Sequence, residues 1–310
     1  MSEELHRKYR PRELEDVIGQ DAAVKQLEGF FAKKKMPHQL LLTGNAGCGK
    51  TTLARIVRRR LKCHRDDYTE INAANHRGID MIRDIAKSIR YKPLNSRGTR
   101  VWLIDESHQL TSEAQDSFLK YLEEPPDHVY FILGTTLPEK LKRTVRTRCT
   151  EVRLNAVSEE NLTKLIHRVA KKEKDPIGDD IAKKIAFNAL GSPRAALVTL
   201  QTVLAVDKKD RLNAVLDDEL KSQGIQLCRE LLKDKPTWKR VAEILQGLDE
   251  DPEQIRRLVL AYFSSIAIKP FNTGAFNRSV VVLEEFESDY FASGKAGLIL
   301  SAMRALRKPE

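Results

Sequence analysis

Residues 44–51 have the composition of a loop that binds phosphate groups. They are Gly-Asn-Ala-Gly-Cys-Gly-Lys-Thr and satisfy the pattern G-x-x-x-x-G-K-[ST]. Glycines let backbone N–H groups turn toward an anion, Lys50 can reach the β- and γ-phosphates of a nucleoside triphosphate, and Thr51 can offer its hydroxyl to Mg²⁺. A purely structural glycine-rich turn is the alternative. The residues predicted to surround the phosphates are Gly44, Asn45, Ala46, Gly47, Cys48, Gly49, Lys50, Thr51 and Thr52.

Two carboxylates, Asp105 and Glu106, follow the apolar run Val101–Ile104. The run predicts a buried strand, and open α/β sheets bind their ligands at the carboxyl ends of the strands. Hydrolysis of a triphosphate needs a bound metal ion and an oriented water. Asp105 is therefore predicted to bind Mg²⁺ together with Thr51, and Glu106 to polarise the water. A pair that merely begins a helix is the alternative, but the loop earlier in the chain favours the catalytic interpretation.

The first half of the chain must place this loop and these carboxylates at one edge of a sheet. It alternates short apolar runs with amphipathic helical patterns, which is typical of a parallel sheet with crossover helices. After Ser158, which has the character of an N-cap, the pattern is helical. The predicted strands are Gln39–Leu42, Tyr68–Ile71, Val101–Ile104, Val129–Leu133 and Thr150–Leu154. The predicted helices between them are Asp21–Lys33, Lys50–Leu61, Ile79–Tyr91 and Ser112–Glu123.

The composition argues against a membrane span and against a disulfide framework. Hydrophobic residues make up 41% of the 310 residues, no run is long and apolar enough to span a bilayer, and no cysteines have C-x-x-C spacing. We therefore expect a protein of a reducing cytoplasm. The net charge of +10 lies mostly in residues 1–154, which hold 29 Lys and Arg against 21 Asp and Glu. That excess suits a nucleic-acid partner and equally suits a solvated basic surface.

Segments around these motifs resemble the AAA+ clamp loaders, the family of the bacterial DNA polymerase III gamma/tau subunit and the small subunits of replication factor C. The resemblance covers roughly residues 5–205 and also fits a phage version, which would act in the host cytoplasm. Similar to the family's N-terminal signature are Lys8–Pro11 and Val17–Gln20. His38–Leu42 and Leu119–Pro126 are similar to gamma/tau, and Asn72–Ala74 with Arg77–Asp80 is similar to replication factor C.

The resemblance implies an architecture and further site residues. A five-stranded parallel AAA+ sheet with helices would occupy residues 1–154, a helical lid residues 155–210, and an all-helical collar for oligomerisation residues 211–310. Thr136 would help orient the attacking water as sensor 1, Arg148 would reach the ATP site of a neighbouring subunit, and Arg194 would sense the γ-phosphate from the lid as sensor 2. The residues expected around the adenine are Tyr9, Arg10, Pro11, Val17 and Ile18.

By the same resemblance the chain would be a motor subunit, an ATPase stimulated by DNA and clamp. Its partners would be other loader subunits in a pentameric ring or spiral, a sliding clamp, and primer-template DNA. ATP and Mg²⁺ are the predicted cofactors, and no zinc is predicted because only Cys63 lies where gamma/tau has a four-cysteine module. Arg77, Arg83 and Lys87 are the predicted DNA contacts, with a solvated basic face as the alternative. A branch-migration helicase and an inactive nucleotide-binding subunit are the competing functions.

Overall fold

The structure, a computed structural model, describes residues 4–94, 98–208, 211, 223–233, 235–248, 252–268, 273–290 and 293–307. The chain divides into two compact units, Met1–Gln201 and Thr202–Glu310. The first unit joins the predicted core to most of the predicted lid, so the three-domain division stays a prediction. Its second boundary adjoins residues 209–210 and 212–222, which lie outside the described residues. In the described part of the chain, no helix is long and apolar enough to cross a membrane.

The first unit contains a five-stranded parallel sheet, which confirms the predicted fold class. Its strands are β1 Gln39–Thr43, β2 Tyr68–Asn72, β3 Arg100–Asp105, β4 Val129–Thr135 and β5 Thr150–Arg153. Their order is β2-β3-β4-β1-β5, and each neighbouring pair is parallel. The carboxyl ends of β1 and β3 therefore lie on either side of the end of β4. All five predicted strands are present, with ends displaced by one or two residues.

The structure describes six α-helices in this part; the first and the last were not predicted, and the other four begin at their predicted residues and, with one exception, end within one residue of the prediction. They are α1 Leu5–Lys8, α2 Asp21–Ala32, α3 Lys50–Arg60, α4 Ile79–Ser88, α5 Ser112–Glu123 and α6 Arg143–Arg146. The exception is α4, which was predicted to reach Tyr91 but ends at Ser88. The Ser88 hydroxyl donates to the carbonyl oxygens of Asp84 and Ile85, each at 2.9 Å. Such local bonds compete with the helical pattern and favour an end at this serine.

Two apolar cores cover the two faces of the sheet, because successive side chains of a strand point to opposite faces. In β1, Leu40 and Leu42 belong to one core and Leu41 to the other. The first core contains Leu27 of α2 and the buried face of α3, and the second contains the buried faces of α4 and α5. Helices on both faces thus fix the sheet edge at which the strands end.

Three helices follow the sheet, and the last of them extends past Gln201, the end of the first unit. They are α7 Glu159–Lys172, α8 Asp179–Asn188 and α9 Pro193–Leu204. Ser158 caps α7 by accepting from the Asn161 N–H at 3.3 Å. Ser192 likewise caps α9 by accepting from the Ala195 N–H at 3.2 Å. A serine cap followed by proline at the first helical position is a strong start signal, so the start of α9 is fixed by its own sequence.

The described part of the second unit is helical. It comprises α10 Gln223–Leu232, α11 Trp238–Gly247, α12 Pro252–Ala267, α13 Thr273–Glu285 and α14 Gly294–Arg304. The guanidinium of Arg278 is buried, and burial lowers its pKa. It donates to the carbonyl oxygens of Leu231, Ala305 and Arg307. One guanidinium thereby binds carbonyl oxygens at the carboxyl ends of α10 and α14, where a positive charge interacts favourably with the helix dipole.

A buried ion pair offers a stability test in the first unit. Arg100 donates to Asp67 at 2.9 Å, and the side chain of Asp67 is only 1% exposed. The substitution Arg100→Leu would leave that carboxylate buried without its cation, so we expect a loss of about 3–5 kcal/mol in the free energy of unfolding. Urea unfolding followed by circular dichroism measures the loss. The double variant Asp67→Asn/Arg100→Leu should recover part of it, and a single variant as stable as the parent would contradict the role of the pair.

Candidate nucleotide-binding site

The phosphate-binding loop lies between β1 and α3, as predicted. Gly44, Gly47 and Gly49 have φ of 144°, 72° and 115°, which residues with a side chain rarely adopt. The first hydrogen bond of α3 runs from the Leu53 N–H to the carbonyl oxygen of Gly49, at 2.9 Å. The backbone amides of the preceding residues, from Lys50 onward, have no partner within the helix. A helix start of this kind attracts an anion, because both the amides and the helix dipole favour negative charge.

Lysine, threonine and aspartate side chains meet at this loop. Lys50 is 6% exposed, and its ammonium donates to the carbonyl oxygens of Gly44 at 2.8 Å and Asn45 at 3.0 Å. The hydroxyl of Thr51 donates to Asp105 Oδ2 at 2.7 Å. Hydroxyl and carboxylate oxygens are ligands that Mg²⁺ prefers. The two residues predicted to bind Mg²⁺ are therefore in contact, so the site fits that ion.

A glycine that the sequence interpretation overlooked lets Asp105 reach the loop. β4 lies between β1 and β3, so the carboxylate of Asp105 must cross the end of β4 to meet Thr51. Gly134 is the residue that it crosses, and a Cβ atom there would lie 2.9 Å from Asp105 Oδ1. A side chain at position 134 would displace the carboxylate. Because this requirement arises from a contact between two strands, no local sequence pattern predicts it.

Glu106 has an unusual backbone conformation for its residue type. Its φ of 50° lies in the left-handed region, and such conformations in residues with side chains concentrate at functional sites. The residue is half-buried. Burial raises the pKa of its carboxyl group, the nearby Lys50 ammonium opposes that rise, and Asp105 adds to it. The structure thus places the predicted water-polarising carboxylate beside the loop lysine.

One cavity of the first unit brings together most of the predicted nucleotide-binding residues. Gln20, which is buried, supports its wall by donating to the carbonyl oxygens of Cys48 and Asn155, at 3.4 and 2.7 Å. The predicted residues that line it are Tyr9, Arg10, Pro11, Val17, Ile18, Ala46, Gly47, Cys48, Gly49, Lys50, Thr51, Thr52, Asp105, Glu106 and Arg194. Gly44, Asn45, Thr136 and Arg148 are not among its lining residues.

Helices α7 and α9, which belong to the predicted lid, also line this cavity. A Cβ atom at Gly47 would collide with the Ser192 hydroxyl and lie 3.2 Å from the Cβ of Arg194, so the glycine lets the start of α9 pack on the loop. Tyr9 and Lys8 both donate to Glu173, which follows α7. Lining residues that were not predicted are His6, Asp16, Leu165, Arg168, Pro193 and Leu197. They come from three helices and a turn, and nothing in their local sequence marks them.

Arg148 lies away from the cavity, where it pairs with a carboxylate of its own chain. Its guanidinium donates to Glu123 at the end of α5, with Nε at 2.8 Å, and to the carbonyl oxygen of Thr144 at 2.8 Å. The side chain is 31% exposed. An arginine that serves a neighbouring subunit must be reachable from outside, so this position is compatible with the predicted role.

The strand end that precedes Thr136 holds a second threonine. Thr135 is fully buried, and its hydroxyl contacts His108 Nδ1 at 3.1 Å and accepts from the Leu137 N–H at 3.0 Å. Thr136, the predicted sensor, is half-buried and comes directly after β4. Its role stays a prediction.

The predicted DNA-binding residues lie on or just before α4, on an exposed surface that carries both signs of charge. Arg83 donates to Asp80 at 2.8 Å, and Lys87 to Asp84 at 3.1 Å. All four side chains are more than half exposed. The prediction did not include Asp80 and Asp84, whose negative charges reduce the positive electrostatic potential along this helix.

The cysteines do not assemble into a metal site in the described residues, where no three His, Cys, Asp or Glu side chains lie together as metal ligands. Cys48, Cys63 and Cys228 are buried, and Cys149 is half-buried. The prediction that the chain uses no zinc stays a prediction.

Comparisons with known proteins find two family models that match segments of this chain and relatives that match about two thirds of it. The family model "DNA polymerase III, delta subunit" matches residues 65–158, and "Magnesium chelatase, subunit ChlI" matches residues 13–98. The DNA polymerase III subunit gamma of Buchnera aphidicola is 36% identical over 227 residues, 66% of this chain and 62% of that protein. The replication factor C small subunit of Methanococcus vannielii is 34% identical over 204 residues, 65% of this chain and 64% of that protein. The chain thus spans less than two thirds of the length of these relatives.

A solved structure shares the fold across most of the chain. The Thermotoga maritima RuvB Holliday junction branch migration motor matches with a TM-score of 0.61 and 22% identity, over 80% of this chain and 84% of that one. At that identity the likeness concerns the fold alone. The loop, the parallel sheet and the named homologues agree with one another, and the chain is a homologue of the clamp-loader subunits of the AAA+ family.

Proposed function

We propose that the chain is the ATPase motor subunit of a DNA sliding-clamp loader. ATP binding would open a ring clamp and place it on primer-template DNA, and hydrolysis would release it. The observation that carries the proposal is the contact of Thr51 with Asp105 beside Lys50 and Glu106, in a chain whose homologues are clamp-loader subunits. An inactive assembly subunit would have no need of this complete set.

Each residue of the site has a role in that reaction. Lys50 would leave its carbonyl acceptors for the β- and γ-phosphates, and Thr51 with Asp105 would hold Mg²⁺, which supplies charge neutralisation on the phosphate oxygens. Glu106 would orient a water for in-line attack on the γ-phosphorus, and Thr136 would help hold that water. Arg194, at the start of α9, would contact the γ-phosphate, so that the lid reports which nucleotide is bound.

The neighbouring subunit would complete the site. Arg148 is absent from the lining of its own chain's cavity but is partly exposed, so it suits an ATP bound by the adjacent subunit. Its guanidinium would stabilise the charge of the transition state there. We propose a pentameric ring or spiral in which the second, helical unit forms the collar, and in which clamp and primed DNA stimulate hydrolysis.

A direct test of the function compares ATP turnover of the assembled loader alone, with the cognate clamp, with primed DNA, and with both together. The proposal expects the highest rate with both. Unchanged turnover in a complete assembly would contradict it. Stimulation by a four-way junction in place of clamp and primed DNA would instead favour a branch-migration motor, the activity named for the RuvB structure that shares the fold.

DNA binding by α4 is tested through its dependence on salt. The double variant Arg83→Ala/Lys87→Ala should bind primed DNA more weakly and lower the slope of log affinity against log salt by about 1.8, because each lost phosphate contact removes about 0.9. The variant Lys33→Ala/Lys35→Ala removes two exposed charges elsewhere in the first unit and serves as the control. An unchanged slope in the α4 variant would assign Arg83 and Lys87 to the solvated surface, and Arg77→Ala would then be measured by itself.

A further inference from the structure

A histidine outside the predicted set lies next to the proposed catalytic carboxylate. His108 belongs to the short 3₁₀ turn Ser107–Gln109, which directly follows Glu106. Its side chain is 6% exposed, and its Nδ1 lies 3.4 Å from Glu106 Oε2 and 3.1 Å from the hydroxyl oxygen of Thr135. One ring nitrogen is thus close both to the carboxylate and to the end of β4.

The neighbours of the ring determine which nitrogen of the neutral imidazole carries the proton. His108 Nε2 lies 3.2 Å from the amide nitrogen of Gln109. An amide NH₂ group can only donate, so this contact favours Nε2 as the acceptor and the neutral ring with its proton on Nδ1. The ring therefore directs an N–H group toward Glu106 and Thr135.

The turn itself is attached to β4. The Ser107 hydroxyl donates to the carbonyl oxygen of Gly134 at 3.1 Å, and the Thr135 hydroxyl accepts from the Leu137 N–H at 3.0 Å. Ser107 and Thr135 are both fully buried. The position of the imidazole is consequently fixed relative to the strand end that Thr136 follows.

The backbone of Glu106 is fixed, because its N–H donates to Asp105 Oδ1 at 3.0 Å and its carbonyl oxygen accepts from the Gln109 N–H at 2.9 Å, but these bonds do not orient its carboxylate. It lies between the end of β3 and the 3₁₀ turn, with its φ in the left-handed region. A half-buried carboxylate in that position can turn toward Lys50, whose charge acts on it, or toward the imidazole. A group that acts on a water must be held in one orientation to be effective.

We propose that His108 is a positioning residue, which holds the Glu106 carboxylate through its Nδ1–H and couples that carboxylate to Thr135 at the end of β4. This inference rests on the proposed ATPase function. Its consequence is that the orientation of Glu106 follows the position of β4, so the strand end adjoining Thr136 and the catalytic carboxylate change together.

Substitutions at position 108 separate positioning from packing. His108→Leu should lower kcat for ATP by about 10- to 100-fold, the range observed when a group that orients a functional residue is removed, and should leave KM and ATP affinity unchanged. His108→Asn should recover most of kcat, because its amide nitrogen can donate from nearly the position of Nδ1. Equal loss in the leucine and asparagine variants, with melting temperatures like that of the parent, would overturn the proposal.

A double-variant cycle tests whether the effect passes through Glu106. In a Glu106→Gln background, His108→Leu should cause no further loss of kcat, because the group that it positions is already gone. A full additional loss would overturn the proposal. If the parent chain hydrolyses no ATP in any assembly, the proposed function fails instead. The inference about His108 is then tested only by which ring nitrogen carries the proton.

The tautomer can be measured without turnover. In protein labelled with ¹⁵N-histidine at about pH 8, above the ordinary histidine pKa of about 6.5, a long-range ¹⁵N–¹H correlation spectrum distinguishes protonated Nδ1 from protonated Nε2. The His108 signal is the one that His108→Leu removes. Protonated Nδ1 would support the proposal, and protonated Nε2 would overturn it.

Discussion

Glu106→Gln is expected to bind ATP as tightly as the parent and to hydrolyse it about 10²- to 10⁴-fold more slowly, the usual contribution of a residue that assists proton transfer. Glutamine keeps the size of the side chain, and Lys50, Thr51 and Asp105 remain in place to hold the nucleotide. A loader carrying this change should still open its clamp, because the proposed mechanism couples opening to ATP binding, but it should fail to release the clamp.

Nucleotide affinity measured by fluorescence titration, together with single-turnover phosphate release, distinguishes these effects. Glu113→Gln is the matched control, since Glu113 is an exposed glutamate in the first turn of α5. Turnover of Glu106→Gln at the parent's rate would exclude Glu106 as the residue that polarises the water. Loss of ATP affinity would show instead that the carboxylate supports the loop.

Arg148→Ala is expected to leave ATP binding by the isolated chain intact and to remove assembly-dependent hydrolysis. An arginine supplied by a neighbouring subunit is worth about 10³- to 10⁵-fold in kcat. Arg148→Lys should recover little, because an ammonium cannot reproduce the two-point contact of a guanidinium. Within one chain Arg148 pairs with Glu123, so the proposed role would require assembly to exchange that carboxylate for phosphate oxygens.

The neighbouring exposed arginine of α6 provides the control for this prediction. Arg146→Ala removes a positive charge two residues earlier in the chain, at an exposed side chain that makes none of the proposed contacts. This variant should hydrolyse ATP in the assembly at the parent's rate. If Arg148→Ala and Arg146→Ala behave alike, the effect is one of surface charge. If Arg148→Ala also slows the isolated chain, the arginine acts within its own subunit.

Local patterns predicted the sheet and the loop because each carries its own signal. The buried strands are apolar runs, and the glycines of the loop have backbone angles that other residues rarely adopt. One helix end was not predicted: α4 ends at Ser88, whose hydroxyl bonds to the previous turn, a contact that the apolar spacing of that helix does not reveal.

The parts of the site that the sequence did not reveal are those made by contacts between distant segments. Nothing in the local sequence marks Gly134 or His108. Gly134 matters because Asp105 crosses it, and His108 matters because Thr135 and Glu106 lie close to its ring. Arg168 reaches the cavity only because α7 is packed there. Such positions follow from the order of the strands and the packing of α7 and α9, which no short motif encodes.

The central claim is that each ATP lies between the loop and carboxylates of one chain and the arginine of the next. It is tested most directly by mixing chains that carry Glu106→Gln with chains that carry Arg148→Ala in one assembly and measuring ATP turnover. Each variant assembly should be inactive by itself, and the mixture should regain activity, because a Glu106→Gln chain can donate Arg148 to the intact site of its neighbour. A mixture as inactive as its components, or an Arg148→Ala assembly as active as the parent, would contradict the account.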